Sequence, residues 1–232
     1  MTSPGAGGAS AAVLFDIDGT LLDSTYHHAL SWHRAFTRYD IAVPLWKVHR
    51  AIGMGGDRLV AHVADDDVEK EHGDELREAW EEEYTKVLPE VRALAGASEL
   101  IRTLAGRGYV VALASSGKKS FSEDSVKTLD VVDEVKTVTS ADDAEQSKPH
   151  PDILSSTLGR LDVERAAFVG DTPYDVEAAG RLGLRTVGVL TGGFSRAELE
   201  EAGAALVVEA LTEVIDLDWD DLLRPPTADR DD

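Results

Sequence analysis

Two aspartates, Asp16 and Asp18, stand one residue apart directly after the apolar run Ala11–Phe15. Such a run followed by Gly-Thr is typical of a buried strand whose chain then leaves the sheet. Residues i and i+2 of an extended chain point to the same side, so both carboxylates would project together from the end of the strand. Two like charges this close need a cation between them or a bound proton. The pair therefore indicates metal binding or acid–base chemistry, and the alternative is a solvated Asp-x-Asp turn.

Three further polar groups stand near predicted strand ends or helix starts. Ser115-Ser116-Gly117 offers hydroxyls and free N–H groups beside a helix start, which suits an anion, although a plain turn explains it at least as well. Lys148 precedes a proline-fixed helix start, but a lone loop lysine is commonly just solvated. Asp171 follows another strand, and Asp175 could simply belong to the first turn of a helix. In open α/β sheets ligands bind at the carboxyl ends of strands, so we expect these groups to meet there.

The elements that must position these groups alternate between strand and helix after about residue 96, which predicts a parallel sheet with helices on both faces. The preceding stretch, 23–88, shows only helical periodicity. Within it, Asp57 is expected to cap a helix over 58–64, and another helix is expected over 71–87. The later predicted strands are 109–114, 134–139, 166–170, 185–190 and 205–207, and the later predicted helices are 98–105, 122–129, 151–161, 174–182, 195–202 and 211–215.

This order of elements predicts a two-domain α/β protein. One domain is a doubly wound parallel sheet of Rossmann-like architecture, and the other is an all-helical cap inserted after the first strand. Hinges are expected near Asp23 and over 89–97. We assign 1–10 to a flexible N-terminus, 11–22 and 95–223 to the core, 23–94 to the cap, and 224–232 to a disordered tail.

Composition excludes several classes of function. The chain has 232 residues and a formal net charge of −21, which disfavours nucleic acid and anionic membrane surfaces as partners. The absence of cysteine excludes disulfides, zinc–thiolate sites and thiol catalysis. No apolar run approaches the roughly 20 residues that span a bilayer, and the N-terminus does not resemble a signal peptide. We therefore expect a cytoplasmic protein, monomeric or loosely homodimeric, that acts on a small molecule.

Taken together, the four groups resemble the motifs of the haloacid dehalogenase-like hydrolase superfamily. They occur in the same order, and the resemblance covers about residues 11–215. The subgroup that the chain resembles has a helical cap after the first motif and includes phosphoglycolate phosphatases and β-phosphoglucomutase. The matching motifs are Asp16-Ile-Asp18-Gly-Thr-Leu, Ser115, Lys148-Pro, and Gly170-Asp171-Thr-Pro-Tyr-Asp175.

The resemblance implies a role for each motif residue. Asp16 would be the nucleophile that forms an aspartyl-phosphate. Asp18 would protonate the leaving alkoxide and then deprotonate the attacking water. Ser115 would hydrogen-bond the phosphoryl oxygens, and Lys148 would offset their charge. The implied cofactor is Mg²⁺, which prefers oxygen ligands. Its implied ligands are Asp16, the backbone carbonyl of Asp18, Asp171 and Asp175, and the implied substrate- and phosphate-binding set adds Gly19, His28, Arg58 and Ser116.

The motif residues also bear on the reaction. Asp18 argues for phosphoryl transfer, because true haloacid dehalogenases lack an acid–base aspartate there. The loop 53–58 offers no lysine for the Schiff base of the phosphonate hydrolases. Gly170 is the phosphatase-like residue where the mutase has glutamate, although His28 and Trp32 match a pattern of mutase-like caps. The resemblance thus implies a phosphatase for phosphoglycolate, a sugar phosphate or a nucleotide monophosphate; the alternatives are a β-phosphoglucomutase-like mutase and a non-catalytic binding protein.

The cap loop 53–58 is the expected specificity element, because its glycines let the backbone approach a ligand closely. Arg58 could pair with a substrate carboxylate or a second phosphate, or be a surface helix arginine. His28 and Trp32 could instead pack at the hinge between cap and core. No role is assigned to His27 and His33, while His150 could tune the site or simply be a turn residue.

Overall fold

A single six-stranded parallel sheet forms the centre of the protein in the computed structural model, which describes residues 10–224. The sheet order β3-β2-β1-β4-β5-β6 is that of a doubly wound, Rossmann-like fold, and the predicted fold class is confirmed. The predicted N-terminal segment and tail lie outside the described residues, apart from Ser10 and Arg224. The strands are β1 Ala11–Phe15, β2 Val110–Ala114, β3 Val135–Thr139, β4 Arg165–Gly170, β5 Arg185–Val189 and β6 Leu206–Val208.

The register of the sheet brings the ends of three strands side by side. Phe15, the last residue of β1, pairs with Leu113 of β2 and with Val169 of β4. The chain order reverses between β1 and β4, which is the switch point where doubly wound sheets open a crevice for ligands. The residues that follow β1 and β4 are Asp16 and Asp171, so the sheet itself places these two carboxylates beside each other.

Apolar residues of β1 alternate between the two faces of the sheet. Val13 and Phe15 belong to a large buried cluster, while Ala12 and Leu14 belong to a second cluster on the opposite face. Both faces of the sheet are therefore buried at β1, which explains why β1 is a continuous apolar run. Helices of the sheet domain that cover the first face include α5 Ala97–Gly106, α6 Lys119–Leu129, α10 Leu211–Val214 and α11 Trp219–Leu222, and α7 Asp152–Gly159 and α8 Pro173–Gly180 cover the second; α9 Arg196–Glu201 packs beside β6.

The segment between β1 and α5 is wholly helical. Its helices are α1 Thr25–Arg38, α2 Leu45–His49, α3 Gly56–Val63 and α4 Asp66–Val87, and both α1 and α3 pack on α4. The segment leaves and rejoins the sheet domain at one place, because the Asp23 N–H donates to Arg92 O and the Leu94 N–H donates to Leu21 O, each at 2.9 Å. These four helices fall within residues 23–94, the range that the sequence assigns to a cap, and the division into two domains stays a prediction. No helix within residues 10–224 is long and apolar enough to cross a membrane.

Two local predictions were wrong. Asp57 does not cap α3, because the helix begins at Gly56 after Gly55, and the Asp57 carboxylate instead accepts hydrogen bonds from Ser147. The helix expected from residue 71 begins at Asp66, where the Asp65 side chain accepts from the Val68 N–H at 2.8 Å.

Candidate active site

Three buried carboxylates converge where β1 and β4 end. Hydrogen bonding continues past β1, since the Asp16 N–H donates to Val169 O at 2.9 Å. One carboxylate oxygen from each of Asp16, Asp171 and Asp175 lies within 4.8 Å of the others. Asp171 and Asp175 are fully buried, and Asp16 is 6% exposed. The structure thus brings together three of the four residues predicted to surround a metal ion.

Lys148 supplies the positive charge in this cluster. It has no exposed surface, and its ammonium group forms ion pairs with Asp16 and, at 2.8 Å, with Asp175. It also donates to Ala114 O, at the end of β2, at 3.0 Å. Asp175 closes a capping box at the start of α8, because its Oδ2 accepts from the backbone and hydroxyl of Thr172. Asp175 therefore stabilises the first turn of α8 and also belongs to the charged cluster.

Only one of the two carboxylate oxygens of Asp171 has a hydrogen-bond partner among the described residues. Its Oδ1 accepts a 2.6 Å hydrogen bond from the Thr20 hydroxyl, while its Oδ2 is buried with no hydrogen-bond partner among the described residues. Two glycines make room for this carboxylate. A Cβ on Gly19, whose φ is +84°, would lie 2.4 Å from Asp171 Oδ2, and a Cβ on Gly192 would lie 1.7 Å from it. A buried oxygen with no partner costs free energy, so Asp171 is arranged to meet something that the chain itself does not supply.

The charges of the cluster are unbalanced. Burial, together with the neighbouring carboxylates, raises the pKa of Asp16 to about 7 in spite of the Lys148 ammonium. Burial and the charges of Asp175 and Asp16 also raise the pKa of Asp171 well above its ordinary value. The pKa of Lys148 is raised as well, because its two carboxylate partners outweigh the effect of burial. A hard divalent cation such as Mg²⁺ fits this all-carboxylate donor set, and it would satisfy Asp171 Oδ2.

The Asp18 carboxylate is held by residues at the start of helix α1 and within it. Its Oδ1 accepts hydrogen bonds from the Ser24 hydroxyl at 2.6 Å and from His28 Nε2 at 2.9 Å. Burial acts to raise the pKa of Asp18, but the His28 contact and the Ser24 hydrogen bond outweigh it and lower that pKa. The imidazole is fixed in turn by stacking on Tyr84 of α4, with ring centroids 3.9 Å apart. His28 therefore orients the Asp18 carboxylate, and its predicted contact with substrate stays a prediction.

The hydroxyl-rich turn Ser115-Ser116-Gly117, which follows β2, also borders the site. Ser115 is buried, and its Oγ accepts the Gly117 N–H at 2.9 Å. The Ser116 hydroxyl is buried without a partner in the described part of the chain. A cavity of about 50 Å³ lies between this turn and the cap, and its lining includes Asp16, Asp18, His28 and Ser116. The predicted anion-binding turn and the carboxylates thus border the same space.

The remaining predicted cap and loop residues lie elsewhere. Arg58 lines a separate surface depression with His62 and Asp66 and does not border the cavity at Asp16. His33 hydrogen-bonds Val43 O within the cap. Sequence reasoning missed four residues that position the site, namely Thr20, Ser24, Tyr84 and Gly192. Of these only Thr20 carried a usable signal, because it belongs to the same Asp-x-Asp-Gly-Thr motif.

Contacts between cap and sheet domain hold the two together around the site. The Ser147 hydroxyl, adjacent to Lys148, donates to Asp57 at 2.5 Å and accepts the Gly55 N–H at 3.0 Å. On the other side, Arg50 of the cap forms an ion pair with Glu198 and lies 3.9 Å above the ring of Phe194. These contacts join the cap to the sheet domain next to the buried carboxylates.

Comparison with known sequences agrees with this geometry. Residues 13–189 match the family described as haloacid dehalogenase-like hydrolase. The chain belongs to this family. The matched region runs from β1 to the end of β5 and therefore contains the cap and all four motifs.

Relatives within the family carry phosphatase names. The chain is 28% identical over 207 residues to the validoxylamine A 7'-phosphate phosphatase of Streptomyces hygroscopicus subsp. limoneus, covering 87% of this chain and 94% of that protein. It is 30% identical to a phosphoglycolate phosphatase of Rhodospirillum rubrum, with coverage of 85% and 86%. A solved hydrolase structure from Pseudomonas syringae aligns with a TM-score of 0.83 at 30% identity, covering 89% of this chain and 98% of that one. The chain is accordingly an enzyme of the phosphatase type.

Proposed function

We propose that this enzyme is a Mg²⁺-dependent phosphatase that hydrolyses a small phosphorylated metabolite through an aspartyl-phosphate. The observation that carries the proposal is the placement of Asp16. Its carboxylate is paired with the buried Lys148, shares the strand-end cluster with Asp171 and borders the same cavity as Asp18. This is the arrangement that a nucleophile needs if it is to attack an anion without being repelled.

In the first half of the reaction, an oxygen of the Asp16 carboxylate attacks phosphorus and the bond from phosphorus to the ester oxygen breaks. Asp18, in its acid form, gives its proton to that leaving oxygen, so that an alcohol and an aspartyl-phosphate result. The Ser115–Gly117 turn and Lys148 offset the charge of the phosphoryl oxygens. Mg²⁺ held by Asp16, Asp171 and Asp175 would supply further electrostatic stabilisation of that charge.

In the second half, water attacks phosphorus of the aspartyl-phosphate and Asp18, now ionised, accepts its proton. The bond between phosphorus and the Asp16 oxygen breaks, which returns the carboxylate and releases inorganic phosphate. The lowered pKa of Asp18 beside His28 suits this step, because the carboxylate must be ionised to act as a base.

Gly170 favours hydrolysis over the mutase alternative. A Cβ at this position would lie 2.6 Å from the Cβ of Asp175, so the glutamate of the mutase motif would displace Asp175 from its present place. The phosphatase names of the relatives agree with this reading. Incubation with β-glucose 1-phosphate and Mg²⁺ separates the two reactions: we expect free phosphate, and conversion to glucose 6-phosphate would establish the mutase instead.

The decisive test concerns Asp16. We expect Asp16→Asn to lower kcat on p-nitrophenyl phosphate by at least about 10³-fold, because the nucleophile is lost. Intact-protein mass spectrometry after rapid acid quenching should detect one added phosphoryl group in the parent enzyme and none in the variant. Asp133→Asn, an exposed residue outside the site, is the matched control. Full activity in Asp16→Asn would overturn the assignment.

We further propose that the enzyme works in the cytoplasm as a monomer or loose homodimer. The support is that one chain supplies every catalytic group named above and both walls of the cavity. Size-exclusion chromatography with light scattering should therefore show an active species no larger than a dimer. Activity confined to a larger assembly would contradict this.

A further inference from the structure

The imidazole of His28, which holds Asp18, is itself held by aromatic rings of α4. It stacks on Tyr84 with ring centroids 3.9 Å apart at an interplanar angle of 14°, and the ring of Trp80 lies 5.7 Å from it at 24°. Both α4 rings are buried. Among the described residues, the imidazole makes one hydrogen bond, from Nε2 to Asp18. The orientation of the imidazole therefore depends on the aromatic stack as well as on that bond.

The sheet domain supplies a further ring to this stack. Phe121 of α6 makes a perpendicular contact with Tyr84, with centroids 4.9 Å apart and an interplanar angle of 82°. It makes a second perpendicular contact with Trp80, at 5.8 Å and 86°. Perpendicular pairs at such distances are a favourable arrangement of aromatic rings. Tyr84 thus contacts His28 on one side and Phe121 on another, so a change at Phe121 reaches His28 through a shared ring.

An ion pair holds α6 and α4 together at the same place. Lys118, the residue before α6, forms an ion pair with Glu81, which stands next to Trp80 in the chain. The Ser115–Gly117 turn leads directly into Lys118. The first turn of α6 therefore follows the turn that borders the active site and contacts the rings that hold His28.

Asp18 receives two side-chain hydrogen bonds, and only one of them involves the stack. The Ser24 hydroxyl donates to Asp18 Oδ1 at 2.6 Å, and His28 Nε2 contacts the same oxygen at 2.9 Å. Without the stack, the carboxylate would keep Ser24 and could turn about that single bond. An acid must be aligned with the oxygen that receives its proton. Weakening the stack should therefore impair proton transfer and leave the nucleophile Asp16, which Lys148 holds, in place.

Resting on the proposed phosphatase function, we propose that Phe121 is a positioning residue for the proton transfer. Phe121 fixes Tyr84, Tyr84 fixes His28, and His28 aligns Asp18 with the leaving oxygen of the substrate. Phe121 does not line the cavity at Asp16, so it acts only through these residues. Because Phe121 belongs to the sheet domain and Tyr84 to the cap, the alignment is complete only while α4 lies against α6.

The primary test compares Phe121→Ala with the parent on two aryl esters in the presence of Mg²⁺. Phenolate needs a proton on leaving more than p-nitrophenolate does, because phenol is the weaker acid. We expect kcat/KM for phenyl phosphate to fall about tenfold and that for p-nitrophenyl phosphate to fall no more than about twofold. Equal losses on the two esters would show a merely structural role, and no loss on phenyl phosphate would show no role; either result overturns the inference.

Phe194→Ala is the matched control. Phe194 also belongs to the sheet domain and contacts the cap, since Arg50 lies 3.9 Å above its ring and the ring of His49 lies 6.3 Å away. Among the described residues, it makes no ring contact with Tyr84 or His28. A variant that merely loosens the cap should lower kcat/KM for both esters by the same factor. A selective loss on phenyl phosphate in this control would contradict the dependence on Tyr84.

A double-variant cycle tests whether Phe121 acts through His28. In the His28→Asn background, we expect Phe121→Ala to lower kcat/KM for phenyl phosphate by no more than about twofold, because the residue that it positions is already lost. A further tenfold loss in the double variant would show that the two residues act independently, and the inference would then be wrong.

NMR spectroscopy of the imidazole C–H signals gives a measurement that does not depend on activity. The His28 signals are assigned among the seven histidines by comparison with His28→Asn. Stacking on Tyr84 should shift them upfield in the parent, and they should move downfield in Phe121→Ala but not in Phe194→Ala. Unchanged His28 signals in Phe121→Ala refute the inference whatever the kinetics show.

The two proposals fail in different ways. Hydrolysis of neither ester by the parent counts against the phosphatase function, and the NMR signals then decide the positioning of His28 by themselves. If Phe121→Ala does not fold, Phe121→Leu replaces it in every comparison, because leucine keeps most of the buried apolar volume. We expect Phe121→Leu to show the same selective loss on phenyl phosphate, of at least about threefold; equal use of the two esters by this variant and the parent refutes the inference.

Discussion

Lys148 combines full burial with three polar partners, and those partners come from three different parts of the fold. Its ammonium group contacts Asp16 after β1, Ala114 O at the end of β2, and Asp175 at the start of α8. A buried ion pair contributes little net stability, but loss of one partner leaves a charge without compensation. The value of Lys148 therefore lies in aligning the Asp16 carboxylate and in opposing the rise that burial causes in the pKa of Asp16.

His28 provides a prediction at the same scale. In His28→Asn, we expect kcat to fall about tenfold and the acidic limb of the kcat–pH profile to move to higher pH. The reason is that His28 lowers the pKa of Asp18, so its removal raises that pKa and leaves less carboxylate to accept the proton of water. Steady-state kinetics from below pH 4 to pH 8 measure both effects, because the ordinary pKa of Asp18 is 3.8 and His28 lowers it.

The control for this experiment is His33→Asn, on the same helix. His33 contacts Val43 O and not Asp18, so its replacement should leave the pH profile in place. If His28→Asn lowers kcat without moving the acidic limb, His28 affects packing and not the proton transfer.

Individual residues differed in how far the sequence could predict them. Asp16, Asp18 and Asp171 could be predicted as site residues because short motifs after apolar strands mark them, and Lys148 because it stands in a Lys-Pro motif. The contact between His28 and Asp18 could not be predicted. It depends on the rotation of α1 and on the stacking of His28 on Tyr84, which lies 56 positions later in the chain. Contacts that depend on how two helices pack leave no local signal.

At the scale of elements, the loops after the strands are as constrained as the strands. The loop after β5 passes so close to Asp171 that only glycine fits at position 192. The same loop contacts the cap, because His49 Nε2 donates to Gly192 O at 3.0 Å. One turn thus sets the position of a metal-ligand candidate and part of the cap interface.

We expect Gly192→Ala to weaken Mg²⁺ binding at least tenfold, because the added methyl group must displace the Asp171 carboxylate. Calorimetric titration with Mg²⁺ measures this directly. Gly180→Ala is the control, since a Cβ there meets nothing within 4 Å. It should bind Mg²⁺ like the parent and be equally or slightly more stable. Unchanged Mg²⁺ affinity in Gly192→Ala would remove Asp171 from the proposed ligands.

The order of elements was predictable because the apolar periodicity changes clearly from helix to alternating strand and helix. The boundaries of these elements were less predictable. The start of α3 was misplaced because Asp57 has the chemistry of a helix cap, yet its carboxylate is used by Ser147, 90 positions away. The short helix α11 was missed, since four residues are too few to show a period.

For the whole molecule, the buried carboxylates connect folding stability to pH and to the cation. Asp16 has a pKa of about 7 when folded and 3.8 as its ordinary value, so between these pH values the folded state holds a proton that the unfolded state releases. A raised pKa contributes stability at low pH that is lost as pH rises through 7. Mg²⁺ bound by the proposed ligands would take the place of that proton.

Without divalent cations, we therefore expect Tm to fall by at least about 3 °C between pH 5 and pH 8, since 1 kcal/mol shifts Tm by about 2–4 °C at this chain length. Saturating Mg²⁺ should raise Tm more at pH 8 than at pH 5. Differential scanning calorimetry in EDTA and in Mg²⁺ measures both, and Asp16→Asn should flatten the dependence. A larger Mg²⁺ effect at pH 5 would contradict the assignment.

The paired connections at Asp23–Arg92 and Leu21–Leu94 have a consequence for how such enzymes diversify. Because the chain departs and returns at neighbouring points, an insert of almost any length closes its loop with little additional entropy. The helical segment could thus be exchanged for another between Leu22 and Ala93, which already form an antiparallel bridge, while the strand order stays intact. The segment that selects the substrate and the residues that carry out the phosphate chemistry can then evolve separately. A chain can acquire a new substrate while its catalytic residues stay the same.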